Sequence, residues 1–238
     1  MPAGGASARL RAHGEPSLAI GVLALQGDYA AHAGALDRPG ATVREVRRPA
    51  ELGALHGLVI PGGESTALLI LMGDGFPPAL RAFHAAGRPI YGTCAGLILL
   101  AHDVLNPRQP SLALIDVTVE RNGYGRQRES FETSVEGRLD AGPAAFPAVF
   151  IRAPRIRRVG PGVSVLARLG DEPILVREGS VLAGTFHPEL TGDAAVHRYF
   201  LGMVSTAVTT ARGAGSPRPE LPDPGAADPG LTPRERAC

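Results

Sequence analysis

Three short segments hold residue types that could perform covalent chemistry together. Gly92-Thr93-Cys94-Ala95-Gly96 has the form of a nucleophile elbow with cysteine at its apex. Such an elbow needs small flanking residues, because the turn from strand to helix is tight and strained. Cys94 would stand where the following helix presents free N–H groups and the positive end of its dipole, which favour thiolate over thiol. In Phe186-His187-Pro188-Glu189-Leu190, His187 and Glu189 are two residues apart, so in extended backbone both side chains project to one face. A cysteine nucleophile needs a base, and the base needs a third group to fix its tautomer; this pair has the chemistry for both roles. Pro61-Gly62-Gly63-Glu64-Ser65-Thr66 follows an apolar run and opens a helical pattern, so its backbone N–H groups could face an anion or oxyanion.

Each segment alone has a plainer explanation: a small buried cysteine, a surface histidine beside a carboxylate, a serine-capped turn. Together they weigh more. In open α/β sheets, sites lie beyond the carboxyl ends of the strands, and the Gly63 turn and the Cys94 elbow both belong to that edge. The other histidines (His13, His32, His56, His84, His102 and His197) show no metal-ligand spacing, and none is assigned a role. No metal site is expected.

The elements that must position these segments follow from the apolar patterning. Leu18–Leu25 reads as a buried strand, followed by a helix over Tyr29–Leu36 and a β-branched strand at Thr42–Val46. Leu58–Ile60 is a strand ending at Pro61, helices cover Ser65–Met72 and Pro78–Ala86, and the strand Pro89–Tyr91 runs into the Cys94 elbow. This βαβα order predicts a parallel sheet covered on both faces. Later runs are short and closely spaced: Asp116–Glu120, Phe131–Val135, Ala148–Ile151, Ser164–Ala167, Ile174–Arg177 and Val181–Thr185. The last two flank Glu178-Gly179, a hairpin signal, and a helix over Ala194–Val208 closes the domain. The expected architecture is a doubly wound α/β core with an antiparallel extension.

Residues 18–205 form the expected domain. Residues 1–17 lack periodicity and are expected to be a disordered leader. Residues 206–238 are expected to be a disordered tail, since Gly213–Pro233 holds six Pro and four Gly among 21 residues. The chain has 238 residues, 44% hydrophobic and 20% charged, as in an ordinary globular protein. All 24 basic residues are arginine, which excludes a Walker A lysine, a Schiff-base lysine and an internal aldimine with pyridoxal phosphate. A net charge of +1, no Trp and 5% aromatics give no footprint for nucleic acid. No apolar run approaches the ~20 residues of a membrane span, and two cysteines make no disulfide framework, so a cytoplasmic protein with a free thiol is expected. No G-x-G-x-x-G or G-x-S-x-G occurs, which removes the usual signatures of dinucleotide binding and serine hydrolysis.

Six segments resemble, in order, those of one family. They are Gly21–Gly27 (GVLALQG), Pro61–Thr66 (PGGEST), Gly92–Leu100 (GTCAGLILL), Arg121–Gln127 (RNGYGRQ), Phe150–Pro154 (FIRAP) and Phe186–Thr191 (FHPELT). The resemblance is to the glutaminase subunits of pyridoxal phosphate synthase, within the triad glutamine amidotransferases, and covers about Ile20–Val204. The cysteine elbow and the His-Pro-Glu are shared by triad amidotransferases generally, whereas the Gly-Glu-Ser, Arg121–Gln127 and Phe150–Pro154 segments are more specific to this branch. The resemblance implies a flavodoxin-like three-layer α/β/α fold with a mostly parallel central sheet. It implies Cys94 as nucleophile, His187 as base and acid, Glu189 as orienter, and the N–H groups of Gly63 and Ala95 as oxyanion hole. Gly63, Glu64, Ser65, Arg121, Ile151 and Arg152 would hold L-glutamine, and an arginine fork suits its α-carboxylate. No cofactor is implied. The partner implied is a (β/α)8-barrel synthase subunit that builds pyridoxal 5'-phosphate from ribose 5-phosphate, glyceraldehyde 3-phosphate and the ammonia released. Gly123 stands where the family pattern has Ala, and Gly184-Thr185 where Thr-Ser or Ala-Ser is commoner. The alternatives are a triad glutaminase feeding another synthase, a flavodoxin-like thiol sensor without turnover, and a catalytically silent subunit.

Overall fold

The computed structural model describes residues 18–37, 41–121, 123, 130–139 and 142–213. The first half alternates strands and helices: β1 (Ala19–Leu23), α1 (Tyr29–Asp37), β2 (Thr42–Val46), β3 (Gly57–Ile60), α2 (Ser65–Met72), α3 (Phe76–Ala85), β4 (Ile90–Thr93) and α4 (Ala95–Leu100). The second half is mostly β: β5 (Ala101–Leu105), β6 (Ile115–Glu120), β7 (Ser130–Leu139), β8 (Gly142–Ile151), β9 (Arg155–Val159), β10 (Ser164–Leu169), β11 (Glu172–Glu178) and β12 (Val181–Gly184), closed by α5 (Ala195–Gly213).

Among these residues the main sheet has the order β2-β1-β3-β4-β12-β11-β10-β7-β8. The first five strands are mutually parallel, and every pairing from β12 to β8 is antiparallel. The expected parallel core with an antiparallel extension is therefore the observed sheet. Period-two alternation explains why both faces are covered. Leu23, Leu58, Ile60, Ile90 and Val181 point to one core, with Leu68, Met72, Leu80 and Leu97 of α2, α3 and α4. Ile20, Val22, Val59, Tyr91 and Leu182 point to the other, with Leu36 of α1 and Phe200 and Val204 of α5. Three α/β/α layers result.

The sequence pattern does not foretell a second sheet, β5-β6-β9. Its strand β5 starts without a break where α4 ends, because Ala101 turns extended (φ −58°, ψ 152°) inside an unbroken apolar run. The helix after the Cys94 elbow therefore ends at Leu100. The closing helix, expected to end at Val208, runs on to Gly213, so residues 206–213 of the expected tail are helix. The hydroxyls of Thr206, Thr209 and Thr210 each donate to the carbonyl four residues earlier on its exposed last turns. The expected leader, residues 1–17, and the remainder of the expected tail, 214–238, lie outside the described residues. Among the described residues no helix is long and apolar enough to cross a membrane.

Candidate active site

Strands β3, β4 and β12 are adjacent and parallel, and their carboxyl ends bring the three chemical segments to one edge. β3 runs out into Gly62-Gly63, β4 into Cys94, and β12 into His187. Cys94 caps α4 with φ 49° and ψ −101°, a left-handed conformation that a side chain adopts only under constraint. The constraint is visible: its N–H donates to the Gly184 carbonyl at 2.8 Å, and its carbonyl accepts from Ile98 at 3.1 Å. Gly96 is needed because a Cβ there would lie 2.1 Å from the Ile60 carbonyl oxygen, so α4 sits hard against β3.

The His187 side chain is buried, and the residue's backbone N–H donates to the Val149 carbonyl at 2.8 Å, which ties it to β8. Its Nδ1 lies 2.8 Å from Glu189 Oε1, and the ring also hydrogen-bonds the Cys94 sulfur. Burial works against a charged imidazole here, but the bonds to Cys94 and Glu189 outweigh it and raise its pKa from 6.5 to about 10. Burial likewise opposes charge on Glu189, yet His32 and His187 hold its carboxyl well below the usual range. The imidazole of His187 therefore stands between the Cys94 thiol and the Glu189 carboxylate in one hydrogen-bonded line. Gly62 lies beneath it, where a Cβ would be 2.4 Å from His187 Cε1 and 3.3 Å from Cys94 Cβ.

The rim of the site comes from the loops after several strands. Gly63 has φ 138°, and a Cβ there would lie 2.6 Å from the Gln26 side chain, whose Oε1 accepts the Glu64 N–H at 3.0 Å. Glu64 caps α2, accepting the Ala67 N–H at 2.6 Å; that bond, with Arg121 adding to it, lowers its carboxyl pKa. Arg121 Nη2 donates to Glu64 Oε1 at 3.0 Å and to Thr66 Oγ1 at 3.2 Å, carried there by the end of β6. Ser65 is buried and donates to Gln109 Oε1 at 2.9 Å. Ile151 ends β8, and Arg152 follows it with φ 43°. Asp28, His187 and Glu189 offer ligand atoms within 4.8 Å of one another, but a cation there would compete with the hydrogen bonds among His187, Glu189 and Cys94.

Residues 22–206 match the SNO glutamine amidotransferase family. The chain belongs to that family. A protein of Deinococcus radiodurans named pyridoxal 5'-phosphate synthase subunit PdxT is 52% identical over 194 residues, covering 78% of this chain and 97% of that protein. One of the same name from Thermus thermophilus is 52% identical over 187 residues, covering 77% and 96%. A solved structure described as a glutamine amidotransferase is 48% identical, with a TM-score of 0.73 over 78% of this chain and 98% of that one. The PurLQS structure from Thermotoga maritima, 14% identical at a TM-score of 0.58, shares the fold alone.

For this SNO-family chain, the structure brings together Cys94, Ala95, His187 and Glu189 at the base and Gly63, Glu64, Ser65 and Arg121 along one side. Arg121 is already engaged by Glu64, an ion pair the sequence did not suggest. Of the Arg121–Gln127 segment only Arg121 and Gly123 are among the described residues; a Cβ on Gly123 would meet the Arg155 side chain at 2.5 Å. Sequence reasoning passed over Gln26, Gln109, Thr93 and two buried histidines, His32 and His197. The one signal available for the histidines was their place on faces of α1 and α5 shared with Leu36 and Phe200.

Proposed function

We propose that this protein hydrolyses L-glutamine to L-glutamate and ammonia through Cys94, His187 and Glu189, and passes the ammonia to a pyridoxal 5'-phosphate synthase subunit. The reading rests above all on the hydrogen-bonded line of these three residues at the ends of adjacent parallel strands. It is supported by the names of the relatives, which match nearly their full length to this chain.

Cys94 thiolate attacks the side-chain carboxamide carbon, and the oxyanion that forms is held by backbone N–H groups of Gly63 and Ala95. Such a donor contributes about 10²–10³ in rate at comparable sites. The C–N bond breaks as His187 gives its proton to the departing ammonia, leaving a glutamyl thioester. Acylation also removes the thiolate that raised the His187 pKa, so the imidazole becomes a competent base when water must be deprotonated. Water then attacks the thioester, glutamate leaves, and the proton returns to the Cys94–His187 pair. Glu189 holds the imidazole tautomer throughout.

Gly63, Glu64, Ser65, Arg121, Ile151 and Arg152 hold glutamine in this reading. Ammonia attacks carbonyls only unprotonated, so a glutaminase serving synthesis delivers it through a protected path to a docked (β/α)8-barrel subunit. That subunit supplies the imine lysine this chain lacks and joins the ammonia to ribose 5-phosphate and glyceraldehyde 3-phosphate. Residues 18–213 constitute the amidotransferase domain, acting in the cytoplasm without a cofactor, metal, nucleic acid or membrane.

Glutamate release is the test, measured for the chain alone and with a pyridoxal phosphate synthase subunit. Strong stimulation by the synthase, lost in Cys94→Ala, is the expected result. Brisk hydrolysis that the synthase leaves unchanged would refute the pathway, and undiminished activity in Cys94→Ala would refute the chemistry.

A further inference from the structure

Behind Glu189 lies a buried polar chain that the three-residue mechanism does not use. Glu189 Oε1 takes the His187 hydrogen bond, while Oε2 is buried and makes no hydrogen bond of good geometry. His32 Nε2, on α1, faces that oxygen at 3.4 Å with both side chains fully buried. The same Nε2 lies 3.0 Å from Thr93 Oγ1, the residue before the nucleophile, and His32 Nδ1 lies 3.0 Å from His197 Nε2 on α5. The Tyr91 ring meets both imidazoles edge-on, at 6.2 Å and 6.1 Å between centroids.

A carboxylate only accepts, so the His32 Nε2 that faces Glu189 Oε2 presents its N–H side, while Nδ1 shares a hydrogen bond with His197 Nε2. Glu189 is thus faced from two sides, hydrogen-bonded by His187 at Oε1 and in a 3.4 Å ionic contact with His32 at Oε2. A carboxylate held by a single donor can rotate about its terminal bond and carry the catalytic imidazole with it. One whose second oxygen packs against another buried imidazole is held against that rotation.

We propose that His32, fixed by His197, is a positioning residue for the reaction: it locks Glu189 and, through it, the orientation of His187, while its contact with Thr93 ties that lock to the strand bearing Cys94. The inference rests on the glutaminase reading above. His32 touches no reacting atom and acts only through its neighbours.

The test is steady-state glutamate release by the full chain with a pyridoxal phosphate synthase subunit, for wild type, His32→Gln, His32→Asn and His32→Leu. Gln can return an N–H at the ε position; Asn is too short, and Leu has none. Expected is a fall in kcat of about tenfold or more for Asn and Leu with KM changed less than ~2-fold, and recovery of most of kcat by Gln. In a Glu189→Gln background, His32→Asn should cost no more than about twofold, because the group it acts through is already compromised. Equal fractional losses in both backgrounds, equal losses for Asn and Gln at matched thermal stability, or wild-type kcat in Asn would overturn the role of His32. If Leu fails to fold, the Asn and Gln pair decides. A wild type that releases no glutamate with the partner overturns the glutaminase reading itself, and activity that dies in Cys94→Ala but not in any His32 variant overturns this inference alone.

Discussion

Gly62 is the position where the smallest perturbation should cost the most activity. A Cβ added there would lie 2.4 Å from His187 Cε1 and 3.0 Å from Nδ1, whereas ordinary contact begins near 3.4 Å. The ring must therefore retreat by about 1 Å, and it cannot turn toward Cys94, whose Cβ would itself be 3.3 Å from the new methyl. Gly62 is absent from the residues with positive φ, so alanine meets no backbone objection and the whole effect is steric. A misplacement of ~1 Å in a catalytic group costs about 10²-fold in rate, or roughly 2.7 kcal/mol of barrier. The overpacking should cost about 1–3 kcal/mol of folding stability, which leaves the protein folded at assay temperature. Glutamate release by Gly62→Ala, with the synthase subunit present and Cys94→Ala as the blank, should show kcat reduced about a hundredfold. A thermal melt on the same preparation separates this from unfolding. If kcat stays within about threefold of wild type while the protein melts cooperatively, the imidazole does not depend on the space Gly62 leaves, and the reasoning fails.

Two other outcomes follow from the same geometry. His187 titrates near 10 because the bonds to Cys94 and Glu189 overcome burial, so removing the sulfur should lower its pKa in Cys94→Ala. Between the two values the wild-type ring is imidazolium and the variant's is neutral, which an imidazole NMR titration reads directly; an unchanged midpoint would refute the coupling. Gly96→Ala sets a methyl 2.1 Å from the Ile60 backbone oxygen, which no rotamer relieves, so it should cost about 3 kcal/mol and lower Tm by roughly 6–12 °C. A melt indistinguishable from wild type would mean that α4 is free to move off β3.

The centre of the parallel core was legible because β1, β3, β4 and β12 are buried runs, and the breaks after β3, β4 and β12 lead into the three chemical segments. The second sheet was not. β5 continues an apolar helix with no breaker, and β9, Arg155–Val159 (RIRRV), is mostly Arg with little apolar signal of its own. The elongated last helix was hidden by its composition, since Thr206, Thr209 and Thr210 are poor helix formers that here bond back to their own helix.

For the site itself, residue type and local spacing sufficed to select Cys94, His187 and Glu189, because a nucleophile at an elbow and a base two residues from a carboxylate are local patterns. What spacing cannot express is which side chains meet across the sheet. Glu64 and Arg121 are 57 residues apart, His32 and His197 165 apart, and each pair is joined by the order of parallel strands and the helices that connect them. The sequence by itself therefore determined the chemistry available, and the tertiary structure decided which buried polar groups hold that chemistry in place. The physical reason is that a buried carboxylate with two oxygens needs partners on both sides, and only one of them lies near it in the chain.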